Sequence, residues 1–168
     1  REQACRGCAF VLISGSSGSG KSSLARAGVL PDIVEFEIDK DIKQWRWLIT
    51  HPNQWGNSPL SGFVEALTGQ SSLPELARYL QDLSFHDEPE YLSSWLSVLS
   101  LRVCDTLQNI SPNDGQARLV ILVDQLEEIF TSTSFTETTR QQILSTLEKL
   151  ARSGVVWILS TVRSDFYP

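Results

Sequence analysis

The sequence lacks several features that would place it in familiar classes. Its three cysteines are an odd number that closes no disulfide set, which fits a reducing compartment. Cys5 and Cys8 form a C-x-x-C, a spacing shared by redox pairs and by half of a zinc site. No second C-x-x-C follows, His51 and His86 stand apart, and both cysteines precede the first expected strand, whereas a thioredoxin-like pair follows one. Ordinary partly buried thiols are the plainer reading beside metal or redox chemistry. No run of Lys or Arg exceeds two and the formal net charge is -6, which argues against a nucleic-acid surface. No apolar run approaches the roughly 18 residues that cross a bilayer, and the N-terminal REQACRGCAF lacks the charged-then-apolar layout of a secretory signal. Internal repeats are absent as well. A soluble, cytoplasmic protein with neither membrane nor nucleic-acid partner is expected.

What the sequence does have is a 41% hydrophobic content, enough for one domain over residues 1–168, and one dense stretch, Phe10 to Leu24. It runs from an apolar strand through a Gly/Ser turn into a helix. Gly15, Gly20, Lys21 and Ser22 fit G-x-x-x-x-G-K-[ST], with Ser16, Ser17, Gly18 and Ser19 between them and Ser23 after. The chemistry that asks for this pattern is phosphate binding, because Gly-rich backbone turns its N–H groups around a polyphosphate and the helix adds its unpaired donors. Lys21 then reaches the β and γ phosphates, and the Ser22 hydroxyl ligates Mg²⁺. A flexible Gly/Ser turn that contains a Lys is the alternative.

Periodicity and turn residues order the chain. Phe10 to Ser14 reads as a strand with both faces covered, followed by a helix over Lys21 to Ala27 that Gly28 and Pro31 stop. Residues 32–44 carry no clear pattern, and Trp45 to Thr50 is the second strand, ended by His51-Pro52-Asn53. Helices over Pro59 to Leu67, Pro74 to Leu83 and Pro89 to Ile110 form an insertion at about 59–110 that covers the sheet edge or the ligand. In the longest, Leu92, Trp95, Leu96, Leu99, Val103 and Leu107 make a stripe that reads as a packing face. After a turn at 111–115, Leu119 to Val123 is a buried strand delivering Asp124. Thr136 to Ala151 is a helix, and Val155 to Val162 a fourth strand delivering Arg163. The order predicts a three-layer α/β/α sandwich with a mainly parallel sheet, whose ligand sits at the carboxyl ends of the strands. Gly15, Asp124 and Arg163 all fall at that edge.

An apolar strand ending in Asp supplies the carboxylate that holds the Mg²⁺ shell opposite Ser22. Hydrolysis also needs a group to orient or deprotonate water. Gln125 is not a base, so Glu127, more than Glu128, is the candidate; both also suit the start of a short helix, where acidic residues are favourable. Arg163 is placed to sense the γ phosphate and stabilise transition-state charge, or else to cap carbonyls or pair with Asp165.

On three stretches, SGSSGSGKSSLARAGVLP (Ser14 to Pro31), ILVDQLEEIFT (Ile121 to Thr131) and ILSTVRSDFYP (Ile158 to Pro168), the sequence resembles a bacterial STAND-class P-loop NTPase of the novel STAND type one branch. By that resemblance Gly15 to Ser22 match the Walker A loop, Asp124 the Walker B carboxylate, Glu127 and Glu128 the acidic pair of NACHT relatives, and Arg163 the sensor arginine. The resemblance implies ATP/ADP (or dATP) and Mg²⁺ as cofactors. It also implies slow hydrolysis in a signalling or defence switch that closes with ADP and self-associates with ATP. Effector and sensor domains, a fifth strand, a helical lid and a winged-helix region are expected outside this chain. A nucleotide-holding assembly scaffold that never hydrolyses is the alternative that Gln125 suggests. A P-loop kinase would need an acceptor pocket and an Arg-bearing lid, which the sequence does not offer, and no [NT]-K-x-D motif points to GTP.

Overall fold

The computed structural model describes residues 7–35, 41–80, 89–111, 113 and 115–166, with the side chains of all these except 79–80 and 89–97. Four strands, β1 (Phe10–Gly15), β2 (Ile42–Thr50), β3 (Gln116–Val123) and β4 (Val156–Arg163), form one sheet in the order β1-β4-β3-β2, every pairing parallel. Parallel neighbours need crossovers, and helices supply them on both faces. The helical segment 21–35 is α1. On the other face lie α2 (Pro59–Leu67), a short α3 (Ala77–Leu80) after a 3₁₀ turn at Pro74–Leu76, α4 (Pro89–Ile110) and α6 (Glu137–Ala151). The four-residue α5 (Glu128–Thr131) follows β3.

The pleat sorts the core into two layers. Along β3, Leu119, Ile121 and Val123 face α2, α4 and α6, while Val120 and Leu122 face α1. The first layer is the larger. It gathers Phe63, Leu67, Leu99, Val103, Leu107, Ile143 and Leu147, all at most 1% exposed. The expected stripe on α4 is thus a packing face at Leu99, Val103 and Leu107, whereas the side chains of Leu92, Trp95 and Leu96 lie outside the described residues. The second layer sets Trp45 edge-on to Trp157 at 5.1 Å, with Ala25 and Leu30 of α1 beneath.

Several expected boundaries move. The first helix does not stop at Ala27. A π turn over Ala25–Val29, in which Leu30 N–H donates to Ala25 O, shifts the ladder so that Pro31 falls in the first turn of Leu30–Glu35, where its missing N–H is not needed. β2 begins at Ile42 and β3 at Gln116, because pairing with each other extends both through polar residues. β4 begins one residue late and takes in Arg163. β1 is half-buried rather than covered on both faces: β4 is its only strand neighbour among the described residues, and Val11 stays 49% exposed. The described parts of the segment 59–110 cover a face of the sheet. They reach the edge through Trp47 N–H donating to Ser71 O at 3.1 Å. Residues 81–83, Cys5 and His86 lie outside the described residues, and Cys8 packs half-buried against the larger core layer. Among the described residues no helix is long and apolar enough to cross a membrane.

Candidate functional site

The loop after β1 turns on two glycines. Gly18 and Gly20 hold φ of 73° and 82°, left-handed values that a side chain disfavours, and a Cβ at Gly15 would meet Ser19 Oγ at 2.9 Å, so the Ser19 side chain would have to turn away. From Lys21 the chain is helical, Leu24 N–H bonding back to Gly20 O at 2.8 Å. The Lys21 ammonium donates to Gly15 O at 2.9 Å and Ser16 O at 2.7 Å, so its charge lies over the loop's own carbonyls. Ser16, Ser17, Ser19 and Ser23 lie in the same strand-loop-helix unit.

Asp124 is where the strand ends meet. Its backbone N–H extends the β2–β3 ladder to Thr50 O at 2.9 Å, and its side chain is 1% exposed. Oδ1 accepts from Ser22 Oγ at 2.7 Å and from Thr161 Oγ1 at 2.5 Å. Oδ2 accepts from Arg26 Nε at 3.0 Å and lies 3.9 Å from His51 Nε2, which also touches the Arg26 guanidinium. Burial is the largest single influence on this carboxyl and pushes its pKa up. The hydroxyl bonds from Thr161 and Ser22 and the charges of Arg26 and His51 together outweigh burial and hold the group below the ordinary carboxylate value. An ionised carboxylate beside a hydroxyl that keeps free lone pairs is a hard-oxygen donor set of the kind Mg²⁺ accepts, and Ser22 and Asp124 fit it.

Sequence reasoning missed Thr161, Arg26 and His51. Arg26 stands four residues after Ser22, and that spacing puts both on one helical face. His51 follows the carboxyl end of β2, so the rule that singled out Gly15, Asp124 and Arg163 points to it as well. Thr161 is one of two adjacent hydroxyl residues, with Ser160, in a mostly apolar strand, two residues before Arg163. It donates to Asp124 while accepting from Gln125 N–H at 2.9 Å, and its carbonyl receives Leu126 N–H at 2.9 Å. Gln125 turns left-handed at φ 61°, held by those bonds.

The acidic pair separates. Glu127 precedes α5, is 6% exposed, and its Oε2 has no hydrogen-bond partner. Glu128 accepts from Asn53 N–H at 3.1 Å and ties α5 to the turn after β2. Arg163 pairs in register with Gly15, beside the loop, but its guanidinium grips Asp165 through two bonds of 3.1 and 2.7 Å and lies 5.6 Å from the Phe166 ring centre. The structure thus joins loop and β3 end directly and leaves Arg163 at the rim.

Among solved structures, similar chains include EccC (ATPases 2 and 3, in complex with a signal sequence peptide) of Thermomonospora curvata, at 16% identity and a TM-score of 0.41 over 94% of this chain. EssC (ATPases 2 and 3) of Geobacillus thermodenitrificans is similar at 12% identity and 0.42, also over 94%, and the pCW3 conjugation coupling protein TcpA, solved with ATPgS, at 15% and 0.39 over 93%. The chain spans 25%, 28% and 42% of those three chains. No curated protein matches it. The family model described as Novel STAND NTPase 1 matches residues 2–168, and the chain belongs to that family of nucleoside-triphosphatases.

Proposed function

We propose that residues 1–168 are the ATP-binding core of a cytoplasmic, Mg²⁺-dependent signalling ATPase, with 59–110 as a helical insertion. The observation that carries this reading is the 2.7 Å bond between Ser22 Oγ and Asp124 Oδ1, two groups 102 residues apart that the fold brings together where the pattern wants them. Residues 15–23 wrap the phosphates, and Lys21 exchanges its loop carbonyls for β and γ oxygens. Ser22 and Asp124 hold Mg²⁺, which supplies charge neutralisation at the phosphates when bound. Glu127, a buried carboxylate with a free oxygen, takes the proton of the attacking water; Glu128 positions α5. Arg163 leaves Asp165 to answer the γ phosphate, and this exchange couples ATP or ADP to conformation and self-association in a bacterial signalling or defence protein with effector and sensor domains.

Calorimetric titration of ATP with Mg²⁺ into the wild type and Lys21→Ala is the test. The variant should bind at least tenfold more weakly, and equal affinity overturns the reading. A non-hydrolysing assembly scaffold is favoured by Gln125, a non-acidic residue in a left-handed turn directly after Asp124. Single-turnover phosphate release separates the two: Glu127→Gln slows release by about 10²-fold if Glu127 is the base, and an unchanged rate favours the scaffold.

A further inference from the structure

A carboxylate that is 1% exposed needs a cationic partner, and at Asp124 that partner is Arg26. The two bonds to Oδ1 come from hydroxyls, and the Ser22 oxygen keeps lone pairs with which to ligate a cation. The bond to Oδ2 comes from a guanidinium, which has no lone pair and carries the same sign of charge as a metal ion. His51 stands on the same side, 3.9 Å from Oδ2 and against the Arg26 guanidinium. Arg26 and Asp124 differ in access to water: the Arg26 side chain is 40% exposed, so it can swing out with no backbone movement, whereas Asp124 is fixed by the β2–β3 ladder.

We infer that Arg26 is a resident counterion of Asp124 that a divalent cation must displace, so that Arg26 sets the cation concentration at which the site accepts Mg²⁺. This rests on the nucleotide-site reading above and names a residue that opposes rather than builds the metal site. A charge-assisted bond that is two-fifths open to water, and discounted for screening, corresponds to roughly fivefold in cation affinity.

The test is titration of nucleotide-free protein with Mn²⁺, reading free Mn²⁺ by electron paramagnetic resonance. Arg26→Ala should bind Mn²⁺ about fivefold more tightly than the wild type, because a competing positive charge is gone. Arg26→Lys, which keeps the charge, should stay within about twofold. A role confined to packing would leave Mn²⁺ affinity unchanged in both, and melting curves of the variants show that each is folded. Arg26→Ala binding at or below wild-type affinity overturns the inference, as does Mn²⁺ binding that Asp124→Asn leaves intact. ATP calorimetry on the wild type keeps the two readings apart. If ATP does not bind, the proposed function fails while the Mn²⁺ comparison still decides the role of Arg26. If ATP binds and Arg26→Ala gains no Mn²⁺ affinity, only the inference fails.

Discussion

Replacing Thr161 by Val tests whether this hydroxyl holds the site together, because Val keeps the shape and removes only the polar atom. Thr161 is 1% exposed, and its Oγ1 makes two bonds: it donates to the Asp124 carboxylate at 2.5 Å and accepts from Gln125 N–H at 2.9 Å. Losing a bond to a buried charge costs about 1.5–3 kcal/mol, and losing the acceptor for Gln125 N–H about 1 kcal/mol, softened because Gln125 is exposed. Thr161→Val should therefore destabilise by about 2–4 kcal/mol. With a urea slope of about 2 kcal/mol per molar, the midpoint falls by about 1–2 M at neutral pH and the slope is unchanged. Thr161→Ser, which keeps the hydroxyl and drops one methyl, should lose about 1 kcal/mol. In a double-mutant cycle, Thr161→Val and Asp124→Asn should couple by about 1–2 kcal/mol. If Val is as mild as Ser, or if the two changes simply add, the hydroxyl does not act through Asp124.

Three further outcomes follow from other parts of the molecule. The folded carboxyl of Asp124 lies below its ordinary value of 3.8, so its contribution to stability is complete above that pH and is lost as pH falls through the lower folded value. The stability gap between wild type and Asp124→Asn, followed by urea denaturation, should therefore be open at about pH 5 and close below about pH 4; a gap that widens between about pH 5 and pH 3 reverses the sign. A Cβ at Gly62 in α2 would stand 2.3 Å from Trp55 O and 2.4 Å from its Cα, so Gly62→Ala should melt about 5 °C lower despite its better helix propensity, and an unchanged melting point contradicts the packing. Asp165→Asn frees Arg163 from an exposed pair, so stability should change by no more than about 0.5 kcal/mol. The preference for ATP over ADP, measured by competition, should rise, and no change would remove Arg163 from γ-phosphate sensing.

The sheet was legible because its strands declare themselves. Leu119 to Val123 is wholly apolar and Val156 to Val162 is apolar but for Ser160 and Thr161, as suits buried parallel strands, and each is followed by a polar residue that marks the carboxyl edge. What escaped were effects that appear only when separate segments meet. The polar starts of β2 and β3 pair because each offers the other a ladder. Gly28 and Pro31, which stop an α-helix, do not stop one that takes a π turn first. At the site, the loop pattern and Asp124 could be read from local spacing. Arg26 and His51 were marked only by position, four residues after Ser22 and just past β2, and Thr161 not at all, because Arg, His and Thr are common in helices, turns and strands and only the folded geometry gathers them on one carboxylate. Arg163 shows the opposite limit: its position beside the loop was readable, its capture by Asp165 only one of two readings.

The pleat of β3 carries a further consequence for which genetic changes this chain can absorb. Asp124 shares its parity with Val120 and Leu122, the residues that face α1, and so meets Ser22 and Arg26 rather than the helices behind the sheet. Inserting or deleting a single codon within 116–123 would invert that parity and send the carboxylate into the apolar layer, among Phe63 and Leu107. A two-codon change would keep the side and alter only the reach. β3 should therefore tolerate many apolar replacements and almost no odd-numbered change of length, a pattern that an insertion scan would expose as an alternation between dead and merely weakened variants.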